Sequence, residues 1–157
     1  DKPQAYKAYK KALKINPDYV YVLNNYAYYL CEEGQKLKKA CEMSRKTVEA
    51  KPDDATYLDT YGWILFKMGK PEEAVKHLKR AMLYGGKDSA VIMDHYADVL
   101  FALKEYARAM VYWNKIEDAA RYYVKLYIDE QELETVLQRN PLNKKPKVSS
   151  KFRGIRY

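Results

Sequence analysis

The chain is poor in the residues that carry most enzyme chemistry. Of its 157 residues only two are cysteines, Cys31 and Cys41, too few and wrongly spaced for a zinc knuckle or a disulfide framework, so both are expected as thiols rather than as a bridge. His77 and His95 are the only histidines. His95 stands beside Asp94, yet adjacent helix positions point about 100° apart, and no serine or cysteine sits at a spacing that suits a nucleophile. Paired histidines or cysteines at metal-ligand steps are missing, as is a glycine-rich phosphate loop; Gly85-Gly86 reads as a turn. No catalytic, cofactor or metal site is expected, and no small-molecule substrate. The longest stretch without a charge, Tyr19 to Cys31, falls short of the ~20 apolar residues that a membrane-spanning helix needs. No basic, apolar leader opens the sequence, so any signal or anchor is expected to have been removed or to lie outside this stretch, and periplasmic, envelope-associated and cytoplasmic locations all fit. Six glycines and six prolines, mostly at what look like helix junctions, and the absence of a hairpin dipeptide such as Asn-Gly point to an all-helical chain.

Charge is abundant but unevenly placed. The net charge is +8, and the segment from Asn140 onward holds six basic residues (Lys144, Lys145, Lys147, Lys151, Arg153, Arg156) and no acidic one, which leaves +2 for everything before it. The bulk of the chain is therefore nearly neutral, and binding to nucleic acid or an anionic surface is the secondary reading, confined to the tail.

What the sequence does contain is a period. Tyr26, Tyr61 and Tyr96 recur every 35 residues, each followed by a small residue, Ala27, Gly62 and Ala97. Leu23, Leu58 and Met93 precede them, and Leu30, Leu65 and Leu100 follow, a spacing that marks one helical face. A second set, Ala5, Ala40, Ala74 and Ala109, then Ala12, Thr47, Ala81 and Ile116, marks a second helix, with turns at Pro17, Pro52 and Gly86. Small residues are expected where the two helices cross, with Gly62 facing Ala74 and Ala27 facing Ala40. Leu forced at Gly62 is expected to cost about 1–3 kcal/mol by overpacking. One extra residue falls near Gln35 to Lys39.

This pattern resembles the tetratricopeptide repeat, most closely in Leu58, Tyr61-Gly62, Leu65, Gly69, Ala74, Leu78 and Ala81, with Asp59-Thr60-Tyr61-Gly62-Trp63 similar to a common bacterial version. Thr47 and Ile116 stand where a small residue is usual, and Gly86 where proline is. The resemblance implies an all-α, right-handed superhelical solenoid of about three and a half helix hairpins. It divides residues 1–139 into a partial repeat (4–19), three repeats (20–54, 55–88, 89–120) and a capping helix at about 129–139, followed by a basic tail, 140–157. Residues 4–15 match only the second helix of a unit, so further repeats are expected before Asp1. Asp129 to Glu132 offers a capping box, whereas 119–128 fits both a continued helix and a looser connection.

The resemblance further implies a concave groove lined by the first helices that takes a peptide or a partner's helix. The groove-facing positions are Tyr21, Asn24 and Tyr28, with Cys31 and Glu32; Asp59, Trp63, Phe66 and Lys67, with Thr56; and Asp94, Asp98 and Phe101, with Val91 and Ala102. Their spacing of three and four makes a stripe distinct from the packing stripe. Flat aromatics beside three aspartates suit a basic, apolar segment of a protein partner. In the alternative reading, Trp63 and Phe66 are covered by neighbouring helices and the aspartates are merely solvated. The tail, Pro141 to Tyr157, carries Phe152, Ile155 and Tyr157 among its cations. It reads as a solubilising tail, as an anionic-surface patch, or as a segment that associates with this chain's own repeats or a neighbour's.

Overall fold

The computed structural model describes residues 2–116, with the Lys2 side chain left aside. Within them seven α-helices follow one another: α1 (Lys2–Ile15), α2 (Val20–Glu32), α3 (Leu37–Ala50), α4 (Ala55–Lys67), α5 (Pro71–Leu83), α6 (Ala90–Ala102) and α7 (Tyr106–Trp113), with a 3-10 turn at Gly86–Asp88 and no strand among the described residues. Helices α2–α3, α4–α5 and α6–α7 pair as hairpins, α1 packs on α2, and the array is the hairpin solenoid that the period implies. None of these helices is long and apolar enough to cross a membrane. The capping helix at about 129–139 and the tail 140–157 lie outside the described residues.

Local chemistry sets the helix ends. Asp54 caps α4 by accepting from the Thr56 and Tyr57 amides at 2.9 and 3.1 Å, and Ser89 caps α6 through the Ile92 amide at 3.4 Å. Pro71 opens α5 with Glu72 and Glu73 in the first turn, where the helix dipole favours acids. The three first helices end in one way. Gly34, Gly69 and Lys104 sit at φ of 63°, 78° and 61°, and their amides donate to the carbonyls of Cys31, Phe66 and Phe101, each at 2.9 Å. The next amides, of Gln35, Lys70 and Glu105, reach back to Leu30, Leu65 and Leu100, completing three Schellman caps. Only the third places a residue with a Cβ in the left-handed region. The extra residue of the first unit is accommodated at Lys36, φ 49°, so that α3 starts one residue late.

Close helix contact follows from the small residues. A Cβ on Gly62 would lie 2.8 Å from Leu78 Cγ and 3.2 Å from the Ala74 carbonyl oxygen, so this crossing has no room for a side chain. Ala27 and Ala40 are fully buried in the first hairpin. Gly86 replaces proline for a similar reason: a Cβ there would stand 2.6 Å from the Ala81 carbonyl oxygen and 2.7 Å from Ile92 Cγ2. Tyr26, Leu30, Leu65, Tyr96 and Leu100 are buried as their stripe predicts, and Tyr61 is half-buried. Thr47 is buried with its hydroxyl donating to the Ser44 carbonyl at 2.7 Å, which allows a polar residue at a small-residue position. Beyond the hairpins, α2 touches α4 and α4 touches α6, so the first helices form one continuous row.

Candidate functional site

The row of first helices brings repeat-equivalent side chains into register. Asn24, Asp59 and Asp94 make one rung, Tyr28, Trp63 and Asp98 the next, and Cys31, Phe66 and Phe101 a third. The ten groove positions expected from sequence do not share one environment. Tyr21 is 60% exposed and Lys67 is exposed; Tyr28, Phe66, Asp98 and Phe101 are half-buried; Asn24, Asp59, Trp63 and Asp94 are buried.

The centre of the row is closed by a polar and aromatic cluster. The Trp63 indole stacks on the His95 imidazole with ring centroids 4.0 Å apart and planes 14° from parallel. His95 Nδ1 lies 2.9 and 3.1 Å from the two carboxylate oxygens of Asp59, on the neighbouring helix. An ionised carboxylate only accepts, so Nδ1 carries the proton and donates. Trp63 Nε1 donates to Glu32 Oε1 at 2.8 Å, which ties α4 to α2. Lys67 holds its ammonium 4.7 Å from the Trp63 ring, a cation–π contact, and Phe66 packs 5.3 Å from the same ring. Trp63, Asp59 and His95 keep 6%, 5% and 4% of their surface.

Two sequence expectations are corrected here. The groove stripe and the packing stripe are not separate at this point, because Trp63 and Cys31 belong to the same buried cluster as Leu23, Tyr26 and Ile64. Asp59 and Trp63 are therefore wall rather than open surface, with α2 and α6 supplying the groups that cover them. His95, set aside because Asp94 is a poor partner, pairs with Asp59 across helices. The available signal was the period itself: first helices one repeat apart are neighbours, so Asp59 lies beside the 94–98 turn.

The α6 end of the row differs. Phe66, Asp98, Phe101, Ala102 and Trp113 line an open, mainly apolar concavity of about 240 Å³ between α4, α6 and α7. Phe101 forms its wall, with ring centroids 5.5 Å from Trp113 and 5.0 Å from Tyr106. At the α2 end Tyr28 lies 6.2 Å from Tyr29 and 6.5 Å from His95. Asn24 Nδ2 reaches Asn25 Oδ1 at 3.5 Å, while its buried carbonyl oxygen meets no partner among the described residues. Both cysteines are free, and burial pushes the Cys31 thiol up to about 12, away from nucleophilic use. Among the described residues no group of three or more histidine, cysteine, aspartate and glutamate side chains is placed to hold a metal ion.

Residues 8–42, spanning part of α1, all of α2 and the start of α3, match the sequence profile of the tetratricopeptide repeat. No curated protein matches the chain by sequence. Among solved structures, the chain is similar to the crystal structure of MamA, with a TM-score of 0.64 at 21% identity over 87% of this chain and 77% of that one. A structure from the functional characterisation of Pseudomonas aeruginosa pilF gives 0.61 at 20% identity, covering 87% of this chain and 68% of that one. A further MamA crystal structure gives 0.59 at 18% identity, over 91% and 85%. At such identities the likeness concerns the fold. Period and architecture agree: residues 8–42 match the tetratricopeptide repeat, and the described residues form a helical solenoid with the fold of these repeat-containing structures.

Proposed function

We propose that the chain is a non-catalytic scaffold that binds a basic, apolar segment of a protein partner along the inner faces of α2, α4 and α6. The observation that carries this reading is the apolar concavity at the α6 end, walled by Phe66 and Phe101 with Asp98 in its lining. Aromatic walls supply contact area, and a carboxylate among them orients a cationic side chain. Tyr21, exposed on α2, extends the same face. Asp59, Trp63 and Asp94 contribute as the buried wall that holds the exposed positions in place.

Fluorescence anisotropy with a labelled lysine-, arginine- and phenylalanine-rich peptide of about ten residues, beside its aspartate-substituted counterpart, tests this reading. A preference of about tenfold for the basic peptide, or about 1.4 kcal/mol, is expected, falling with salt and lost in Asp98→Lys. Equal binding of both peptides, or an unchanged preference in Asp98→Lys, rejects it.

A further inference from the structure

We infer that the concavity framed by Phe66, Phe101 and Trp113 has an occupant within this chain, the C-terminal segment 150–157, which competes with outside peptides for the site. This deepens the groove reading and rests on it. The segment Phe152-Arg153-Gly154-Ile155-Arg156-Tyr157 alternates ring or aliphatic residues with arginines, and no acidic residue occurs from Asn140 onward. The site offers the complement, with aromatic walls, Asp98 in the lining and no cationic residue among the lining residues.

Chain length permits the return. The concavity includes Trp113, three residues before Ile116, and 35 residues separate Ile116 from Phe152. Residues 140–150 alone can span ~36 Å when extended. Helix α6, with its 13 residues, is ~20 Å long. A tethered segment meets its site at an effective concentration in the mM range. If the same sequence binds as a free peptide at about 100 μM, the tether weakens apparent binding of any competitor by about tenfold. The tail thus acts as a built-in threshold that admits only ligands tighter than itself.

The test uses the full chain. A labelled peptide of residues 146–157 is titrated against the native chain and against a tail variant carrying Phe152→Ala, Arg153→Ala, Ile155→Ala, Arg156→Ala and Tyr157→Ala together. The tail variant is expected to bind the peptide about tenfold more tightly, with that gain removed by adding Asp98→Asn or Phe101→Ala. Circular dichroism melts confirm that each variant is folded, and Asp98→Asn serves if Phe101→Ala is not. Equal binding by native and tail-variant chains overturns the inference, as does no peptide binding to either. Tail-dependent dimerisation in sedimentation equilibrium overturns it in favour of a neighbour's groove. Tail-dependent binding of an oligonucleotide, with no binding of the tail peptide, overturns it in favour of the anionic surface. An unrelated basic, apolar peptide separates the two readings. If it binds through Phe101 and Asp98 while the tail peptide does not, self-docking alone fails; if neither substitution affects any peptide, the groove reading fails as well.

Discussion

Trp63 and Asp98 occupy the same position of successive repeats, as do Phe66 and Phe101, yet the α4 wall and the α6 end behave differently. At α4 the inner position is sealed: Trp63 is stacked on His95, bonded to Glu32 and covered by Lys67. At α6 the equivalent positions frame an open concavity. Helix α4 has a first helix on each side, α2 and α6, each contributing groups that complete the wall. The comparison teaches that a repeat position fixes the direction in which a side chain points, whereas the adjoining helices decide whether it is covered.

Truncation tests this contrast most severely. Trp63→Ala is expected to cost about 3–5 kcal/mol in urea denaturation, the range for emptying a buried aromatic site. Phe101→Ala, at a half-exposed ring, is expected to cost less than half of that; equal losses break the distinction between wall and rim. Next comes Asp59→Ala, expected to cost about 1–3 kcal/mol by leaving the buried His95 Nδ1–H without its acceptor. The same substitution is expected to lower the ring-stacking order of Trp63, read as a change in its fluorescence, which a purely local loss would not produce.

The hairpin turns sharpen the contrast in the opposite direction. Lys104 takes a left-handed conformation where the two preceding hairpins place glycine. Lys104→Gly is expected to stabilise the chain by about 1 kcal/mol, visible as a raised melting temperature and slower amide exchange in α6 and α7. The smallest effect concerns pH. Burial first, and the Arg80 charge second, lower the His77 pKa below its ordinary 6.5. The unfolded chain therefore binds this proton more readily than the folded one, and stability falls as pH drops below about 6.5. His77→Gln is expected to flatten the part of the acid-side slope that His77 contributes, measured as melting temperature against pH.

Much of this was legible in the residues. The 35-residue spacing of Tyr26, Tyr61 and Tyr96 located the first helices, and Gly62 located a helix crossing so tight that a methyl group has no space. Gly86 was legible as a turn, although its need for glycine depends on Ala81 and Ile92, which approach it only in the folded chain. The candidate groove was legible as a face but not as a surface. Asp59 and Trp63 lie on the face of α4 that meets α2 and α6, and their burial was not foreseeable from their own helix.

The sequence by itself determined the period, the helical faces and the hairpin crossings, because these depend on residues within one turn or one repeat of each other. Only the tertiary structure decided that His95 finds Asp59, that Trp63 is sealed and that Phe101 borders open space. Those outcomes depend on the lateral offset between stacked helices, which side-chain volumes across three helices set jointly and no single helix encodes.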